Sequence, residues 1–288
     1  MQYIVLDLEW NTAYSKKKKG FVNEIIEFGA AKLNEEFEVI STFSSLVQPQ
    51  ISPKLNSHVK KLTSISNEEL KGEDPYEEVF QQFADWSCED EERIYLSWGD
   101  MDIRTLISNN QFFFQDPKIP FLPEYVDLQA YFMHLKGLPK AKQIGLSDAA
   151  KMIDEDPEQF VHHRALEDSL LAAVILRDIY EEESFEEAIF DCDEEFYKRI
   201  LFKPYYLDDI RDKLVDQDML GCKCMNCGRP AEQITDWKYS SNAFHAVFHC
   251  PDCNEKYRAN VSFKRLYNQV SVKKTVITLK RNRRRPRP

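Results

Sequence analysis

Apolar and polar positions along the first fifty residues predict three consecutive strands, at 1–10, 21–33 and 36–49. The first contains "IVLDLEW", the second "NEIIEFGAAKL" and the third "FEVISTFSSLVQP". Short polar links between them predict an antiparallel meander. A helical stretch over 66–86, interrupted near Pro75, comes next, then a strand "RIYLSW" at 93–98 and a helix starting near Asp102. After "EYVDLQAYF" and "IGLSDAAKMI", apolar spacing predicts a long helix from Ala165 to Glu181. Strands first, then strands alternating with helices, predict an α/β domain with a mixed sheet.

Polar residues break this pattern at informative places. On a strand, positions i and i+2 point the same way, so Asp7 and Glu9 share one face while Leu6, Leu8 and Trp10 share the other. Two neighbouring carboxylates repel each other, and a bound cation relieves that repulsion. Taken alone, the pair also fits a strand end emerging into solvent. Asp168 changes the balance, because it heads the helical stripe of Leu171, Ala172, Ile175 and Ile179 and so faces the core side. His163, about 140° from Asp168 on a helix, belongs in the loop before it. A fourth acid follows "RIYLSW" in "WGDMDIRTL", where Asp100 and Asp102 are both candidates and one of them serves as a helix N-cap. Asp127 is read as the N-cap of a helix beginning near Leu128.

"DLE" (7–9), an Asp in "WGDMD" and "HRALED" (163–168, matching H-x-A-x-x-D) resemble the three motifs of the DEDDh branch of DnaQ-like 3′–5′ exonucleases. "EIIEFGAAKL" and "HVKKLTSIS" (58–66) are also similar to segments of that family, and the resemblance covers residues 1–182. It implies an RNase H-like three-layer domain with a mixed five-stranded sheet. It also implies that Asp7, Glu9, Asp102 and Asp168 hold two Mg²⁺ or Mn²⁺ ions, with Asp100 as the fallback for the middle acid. His163 matches the family's general base, and histidine ordinarily titrates near neutral pH; His162 is one residue out of register. Trp10 and Asn11, next to the acid pair, are candidates to contact the terminal nucleotide, with core packing an equal prospect for Trp10.

Of seven cysteines, five lie beyond residue 220. Cys224, Cys227, Cys250 and Cys253 form two C-x₂-C pairs, a spacing suited to one structural zinc in a small β zinc ribbon. Thiol redox chemistry is the weaker alternative, and Cys222 is a spare that could compete for a ligand position. The aromatic run "ITDWKYSSNAFHAVFHC" predicts a hairpin about "SSN", and "EKYRANVSFKRL" a third strand. Trp237, Arg258, Lys264 and Arg265 are candidate contacts for single-stranded nucleic acid, as are Tyr239, Phe244, Phe248 and Tyr257 where exposed. The expected division is an exonuclease domain at 1–182, an acidic helical linker at 183–219, a zinc ribbon at 220–267 and a basic tail at 268–288.

Charge sharpens this picture. The chain carries −11 overall, yet from Asn254 onward twelve Lys/Arg face one acid, giving +11 there and −22 before it. A basic end of this kind draws polyanions, and the tail "KRNRRRPRP" is expected to add phosphate affinity. No apolar stretch approaches the roughly 20 residues of a membrane span, so a cytoplasmic protein with no membrane partner is expected. The functional expectation is a metal-dependent 3′–5′ exonuclease on single-stranded nucleic acid, RNA ahead of DNA. The alternatives are a DNA proofreading or repair exonuclease, a catalytically idle scaffold, or a ribbon that contacts protein.

Overall fold

A computed structural model of the chain describes residues 1–88, 92–139, 143–160 and 163–279. His162 and the tail 280–288 lie outside the described residues. The chain divides into two compact units, Met1–Ile200 and Leu201–Pro288.

The first unit has strands β1 (Gln2–Ser15), β2 (Gly20–Leu33), β3 (Val39–Leu46), β4 (Arg93–Ser97), β5 (Glu124–Asp127) and β6 (Phe190–Asp191). Its helices are α1 (Ser57–Thr63), α2 (Tyr76–Ser87), α3 (Met101–Phe113), α4 (Leu128–Leu135), α5 (Leu146–Lys151), α6 (Ala165–Ile179), α7 (Glu182–Glu186) and α8 (Glu194–Leu201), the last crossing into the second unit by one residue. The sheet order is β3-β2-β1-β4-β5-β6. β1, β4 and β5 run parallel, while β2, β3 and β6 run antiparallel to their neighbours. This is the RNase H-like mixed sheet, with the two-residue β6 added to the expected five strands.

Period-two alternation in β1 splits the core. Ile4, Leu6 and Leu8 pack with Phe83, Ile103 and Leu106 of α2 and α3. Tyr3 and Val5 pack on the other side with Leu171, Ile175 and Leu176 of α6. Asp7 and Glu9 continue the odd-numbered row, so the strand's pleat aims both acids toward the α6 layer.

The expected helix over 66–86 begins only at Tyr76, with Pro75 as its extended N-cap. Proline lacks the N–H that a helix interior needs, which is why the helix starts there rather than running through it. The segment 183–219 is not a linker. Phe185 is buried in the α6 layer and Phe196 in the α2/α3 layer, so α7 and α8 belong to the first unit. Leu207, Val215 and Leu220 pack in the core of the second. The acids that suggested a solvated connection are the outward faces of short amphipathic elements.

The second unit is a small antiparallel sheet of β7 (Tyr205–Tyr206), β8 (Glu232–Gln233), β9 (Lys238–Ser240), β10 (Ala243–Cys250), β11 (Glu255–Arg265) and β12 (Val270–Thr278). Ser241 and Asn242 close the β9–β10 hairpin with φ of 50° and 60°, the left-handed pair that a two-residue turn demands. β12 pairs with β11 from Val270 to Thr278, so the ordered sheet continues well past the expected ribbon limit at 267. Among the described residues no helix is long and apolar enough to cross a membrane.

Candidate active site

β1 pairs with β4 only from Gln2 to Val5, so beyond Val5 that side of β1 has lost its neighbour. Asp102, in the first turn of α3, fills the gap: its Oδ1 accepts a hydrogen bond from the Leu8 N–H at 3.1 Å. The carboxylate is buried. Asp100 turns away and pairs with Arg104 at 2.8 Å. Of the two candidates for the middle acid, only Asp102 lines the cavity that also contains Asp7, Glu9, His163 and Asp168. Asp127 caps α4 as expected, accepting from the Ala130 N–H at 2.8 Å.

The cavity measures about 640 Å³. Ligand atoms of Glu9, His163 and Asp168 all lie within 4.8 Å of one another. His163 sits before α6 with φ of 60°, a left-handed conformation uncommon for a residue with a Cβ. Its backbone N–H donates to Asp168 Oδ2 at 3.1 Å, so the acid and the histidine loop hold each other in place.

Two residues that sequence reasoning passed over position this loop. Glu27 of β2 lies opposite Glu9 in register and is buried. Its carboxylate accepts from Arg164 at 2.6, 3.0 and 3.2 Å and from the Ala165 N–H at 3.2 Å. A β2 carboxylate thereby caps α6, satisfying one of the helix's open donors. Gly29 of β2 pairs with Asp7, and a Cβ there would lie 2.0 Å from the Ala165 carbonyl carbon and the Leu166 nitrogen. Glycine at this point lets α6 touch the sheet and brings Asp168 to Asp7.

The electrostatics are those of a site short of positive charge. Burial first, then repulsion from Asp102, Asp168, Glu9 and Glu27, holds Asp7 well above the usual carboxylate range. Burial pushes Glu9 up to about 8, with Asp168, Glu27 and Asp102 adding to the rise and Arg164 opposing it. Asp102 rises to about 7, burial outweighing the Leu8 hydrogen bond. Oxygen donors crowded together in this way suit hard divalent cations, and binding one would return these acids to their ionised form.

Trp10 lines the cavity and also packs partly against the α2/α3 core. Asn11 does not line it. Asn11 is buried, and its Oδ1 accepts from the Asn56 N–H at 2.9 Å, which fixes the residue that caps α1. The proposed nucleotide contact for Asn11 is thus replaced by a structural one. His58, Leu62, Trp98, Met101 and Ser147 are among the other residues of the cavity wall. Leu62 and Met101 are 41% and 48% exposed, an apolar margin formed by residues inside the "HVKKLTSIS" and "WGDMD" segments.

In the second unit, Cys224, Cys227, Cys250 and Cys253 bring their sulfurs within 4.8 Å of one another. The Cys227–Cys250 sulfur separation is 3.7 Å. That far exceeds a disulfide bond, and it matches the edge of about 3.8 Å expected for a tetrahedron with metal–sulfur bonds of about 2.3 Å. The Tyr257 hydroxyl, 3.0 Å from the Cys224 sulfur, holds that thiol down to about 6. Cys222 is buried beside the cluster and donates to the Lys223 carbonyl. Phe244, Phe248 and Tyr257 are buried and so offer no face to a base, and Trp237 packs on Phe248 at 5.8 Å. Arg258 is exposed beside Lys238 along a shallow groove. Lys264 lies over Tyr206 at 5.8 Å, and Arg265 is half-buried opposite Tyr205.

Comparison with known proteins agrees with this fold and site. The exonuclease (RNase T) family pattern matches residues 4–176, so the chain belongs to the exonuclease family. Its class is that of the 3′–5′ exonucleases, nucleic-acid hydrolases that use divalent metal ions. The "Probable 3'-5' exonuclease KapD" of Bacillus subtilis (strain 168) is 28% identical over 183 residues, 63% of this chain and 86% of that protein. The mouse "ERI1 exoribonuclease 3" is 25% identical over 142 residues, covering 47% of this chain but only 41% of that longer protein. The solved nuclease domain of 3'hExo, a DEDDh family member bound to rAMP, superposes with a TM-score of 0.54 at 22% identity. That match covers 61% of this chain and 90% of the solved one, and it establishes the fold.

Proposed function

We propose that this chain removes nucleotides from the 3′ end of single-stranded RNA in the cytoplasm, with DNA a poorer substrate. The observation that carries the reading is the convergence of Asp7, Glu9, Asp102, Asp168 and His163 on one cavity from β1, α3, α6 and the loop before α6. The RNA preference draws support from the exoribonuclease relatives.

In this reading Asp7, Glu9, Asp102 and Asp168 hold two Mg²⁺ or Mn²⁺ ions. When bound, such a pair neutralises phosphate charge and activates the attacking water. His163 takes the proton of that water, and its backbone bond to Asp168 keeps the imidazole at the cavity mouth. Glu27 and Arg164 fix the start of α6 and so the position of Asp168. Trp10, Trp98, Leu62 and Met101 exclude water and present apolar surface to the terminal base.

The four cysteines hold one Zn²⁺ whose shell they close, so this ion supports structure rather than chemistry. The outward face of β9, β10 and β11, with Lys238, Arg258 and Lys256, supplies phosphate contacts. The tail 280–288 adds further cations. Incubating 5′-labelled single-stranded and duplex RNA and DNA of matched sequence with Mg²⁺, Mn²⁺ or chelator tests the proposal. Stepwise shortening of single-stranded RNA that requires the metal is expected; full-length products under every metal condition would overturn it.

A further inference from the structure

The β1–β2 ribbon does not stop at the cavity. Trp10 and Thr12 are the last β1 residues lining it, and period two carries the same face on to Tyr14. Across the ribbon Thr12 pairs with Asn23 and Tyr14 with Phe21. The Thr12 hydroxyl donates to Asn23 Oδ1 at 2.9 Å, which keeps the two strands in register beyond the reach of β3 and β4. Tyr14 and Phe21 are 55% and 72% exposed, and their rings meet edge to face at 5.6 Å. The edge-to-face contact helps hold the ribbon, yet more than half of each side chain stays exposed, so the pair offers ring surface to something outside the fold.

The ribbon's tip is Lys16, Lys17, Lys18 and Lys19, all exposed. The loop is an ordered one. Lys19 adopts φ of 51°, the Lys18 N–H donates to the Ser15 hydroxyl at 3.2 Å, and the Lys17 ammonium sits over the Phe112 ring at the end of α3, 5.2 Å from its centre. Among the described residues none of the four lysines forms a salt bridge. Their setting makes this notable, because Met1–Ile200 holds 20 Lys/Arg against 40 Asp/Glu, a charge of −20. One fifth of the cations in a unit that handles a polyanion are gathered on a single turn, at the far end of the strand that carries Asp7 and Glu9.

We infer that the β1–β2 ribbon is a tracking arm for the nucleic-acid strand leading into the cavity. Tyr14 and Phe21 offer ring faces to unpaired bases, and Lys16, Lys18 and Lys19 bind the phosphates beyond them. The inference deepens the exonuclease reading and rests on it, adding a length requirement. From Glu9 to Tyr14 is five strand residues, about 17 Å at about 3.3 Å each, so only a substrate of several nucleotides reaches the arm. Exposed rings select unpaired bases over duplex, whose base faces are covered, and over an acidic protein, which uses the lysines alone.

The test is binding of 5′-fluorescent RNA by anisotropy, using the full chain with Asp7→Asn throughout so that no strand is consumed. A Lys16→Ser/Lys18→Ser/Lys19→Ser variant and a Tyr14→Ala/Phe21→Ala variant are compared with that parent. Three lysines on single-stranded phosphates steepen the salt response by about 2 in log–log slope, so between about 50 and 200 mM salt the parent loses about 15-fold more affinity than the lysine variant. Both variants weaken a strand of about 16 nucleotides and leave one of about 3 nucleotides unchanged. Equal affinities and slopes for the long strand overturn the arm, as does equal weakening of a blunt duplex or loss of binding to poly-glutamate alone. Trimming of the short strand by the unaltered chain is scored separately, so failure of the exonuclease reading is told apart from failure of the arm.

Discussion

The carboxylate cavity and the cysteine cluster place ligands suited to metals in opposite ways. Asp7, Glu9, Asp102 and Asp168 arrive from β1, α3 and α6, up to 161 residues apart in the chain, and they leave the cavity open on one side. The four cysteines come from two C-x₂-C turns within thirty residues and close around one point. The first site is a product of the whole sheet and fails when the sheet's geometry fails. The second lies in a unit with a smaller core, so on the proposed zinc reading the dependence there runs from metal to fold.

The sharpest way to break this comparison lies within the open site. His163→Ala is expected to lower the hydrolysis rate about 10²–10⁴-fold while Mn²⁺ binding, followed by calorimetry, persists. Asp7→Asn loses both. A His163→Ala protein that also fails to bind metal would make the histidine a ligand rather than a base.

Next in size is removal of the closed site. Cys250→Ser, or a zinc-selective chelator, should abolish cooperative unfolding of the second unit while leaving trimming of very short strands by the first unit unchanged. Trypsin susceptibility and metal content report the first effect and a short-oligonucleotide assay the second. A fully folded second unit without zinc would remove the contrast.

The positioning residues of the open site should cost less. Gly29→Ala forces α6 off the sheet and is expected to destabilise the first unit by about 3 kcal/mol. Glu27→Gln leaves Arg164 without its charge partner. Because Arg164 keeps 36% side-chain exposure, the loss should be about 2 kcal/mol, below that of a fully buried pair. Urea denaturation measures both, and the catalytic deficit should appear in kcat more than in KM, since Asp168 is displaced rather than removed.

The smallest effect is one of pH. Glu9 and Asp102 have folded-state values raised to about 8 and about 7, above those of the unfolded chain. Folding therefore favours their protonated forms: stability is fullest below the ordinary carboxylate range and falls as pH rises through about 8. Metal-free protein should melt roughly 5 °C lower at high pH than near pH 5, and Mn²⁺ should flatten the difference. A metal-free melting point that rises with pH would reverse the sign.

Much of this was legible in the chain because it depended on short periods. Alternation in β1 set Asp7 and Glu9 apart from Leu6 and Leu8, a helical stripe aimed Asp168 inward, and paired cysteines about an aromatic hairpin marked the ribbon. What escaped required knowledge of which distant segments touch. Glu27 and Arg164 are 137 residues apart, and Gly29 matters only because α6 lands on it. Asp100 and Asp102 differ in which one meets the open edge of β1, which no local pattern encodes. Asn11, polar and next to the acids, looked like a substrate contact and is instead a buried tie to α1. The acids of 181–195 masked Phe185 and Phe196, few in number but enough to seat two helices.

The hydrogen bond between the Leu8 N–H and Asp102 exists because β4 ends at Ser97. Were β4 two residues longer, its backbone would compete with the carboxylate for that proton and drive Asp102 out of the cavity. Sheet extension and the Asp102 carboxylate are therefore rivals for a single donor in this protein. Insertions should be tolerated in the turns remote from Ser97, whereas lengthening or shortening the stretch between Ser97 and Asp102 should pull that carboxylate off Leu8 and, on the proposed mechanism, lower the rate of hydrolysis.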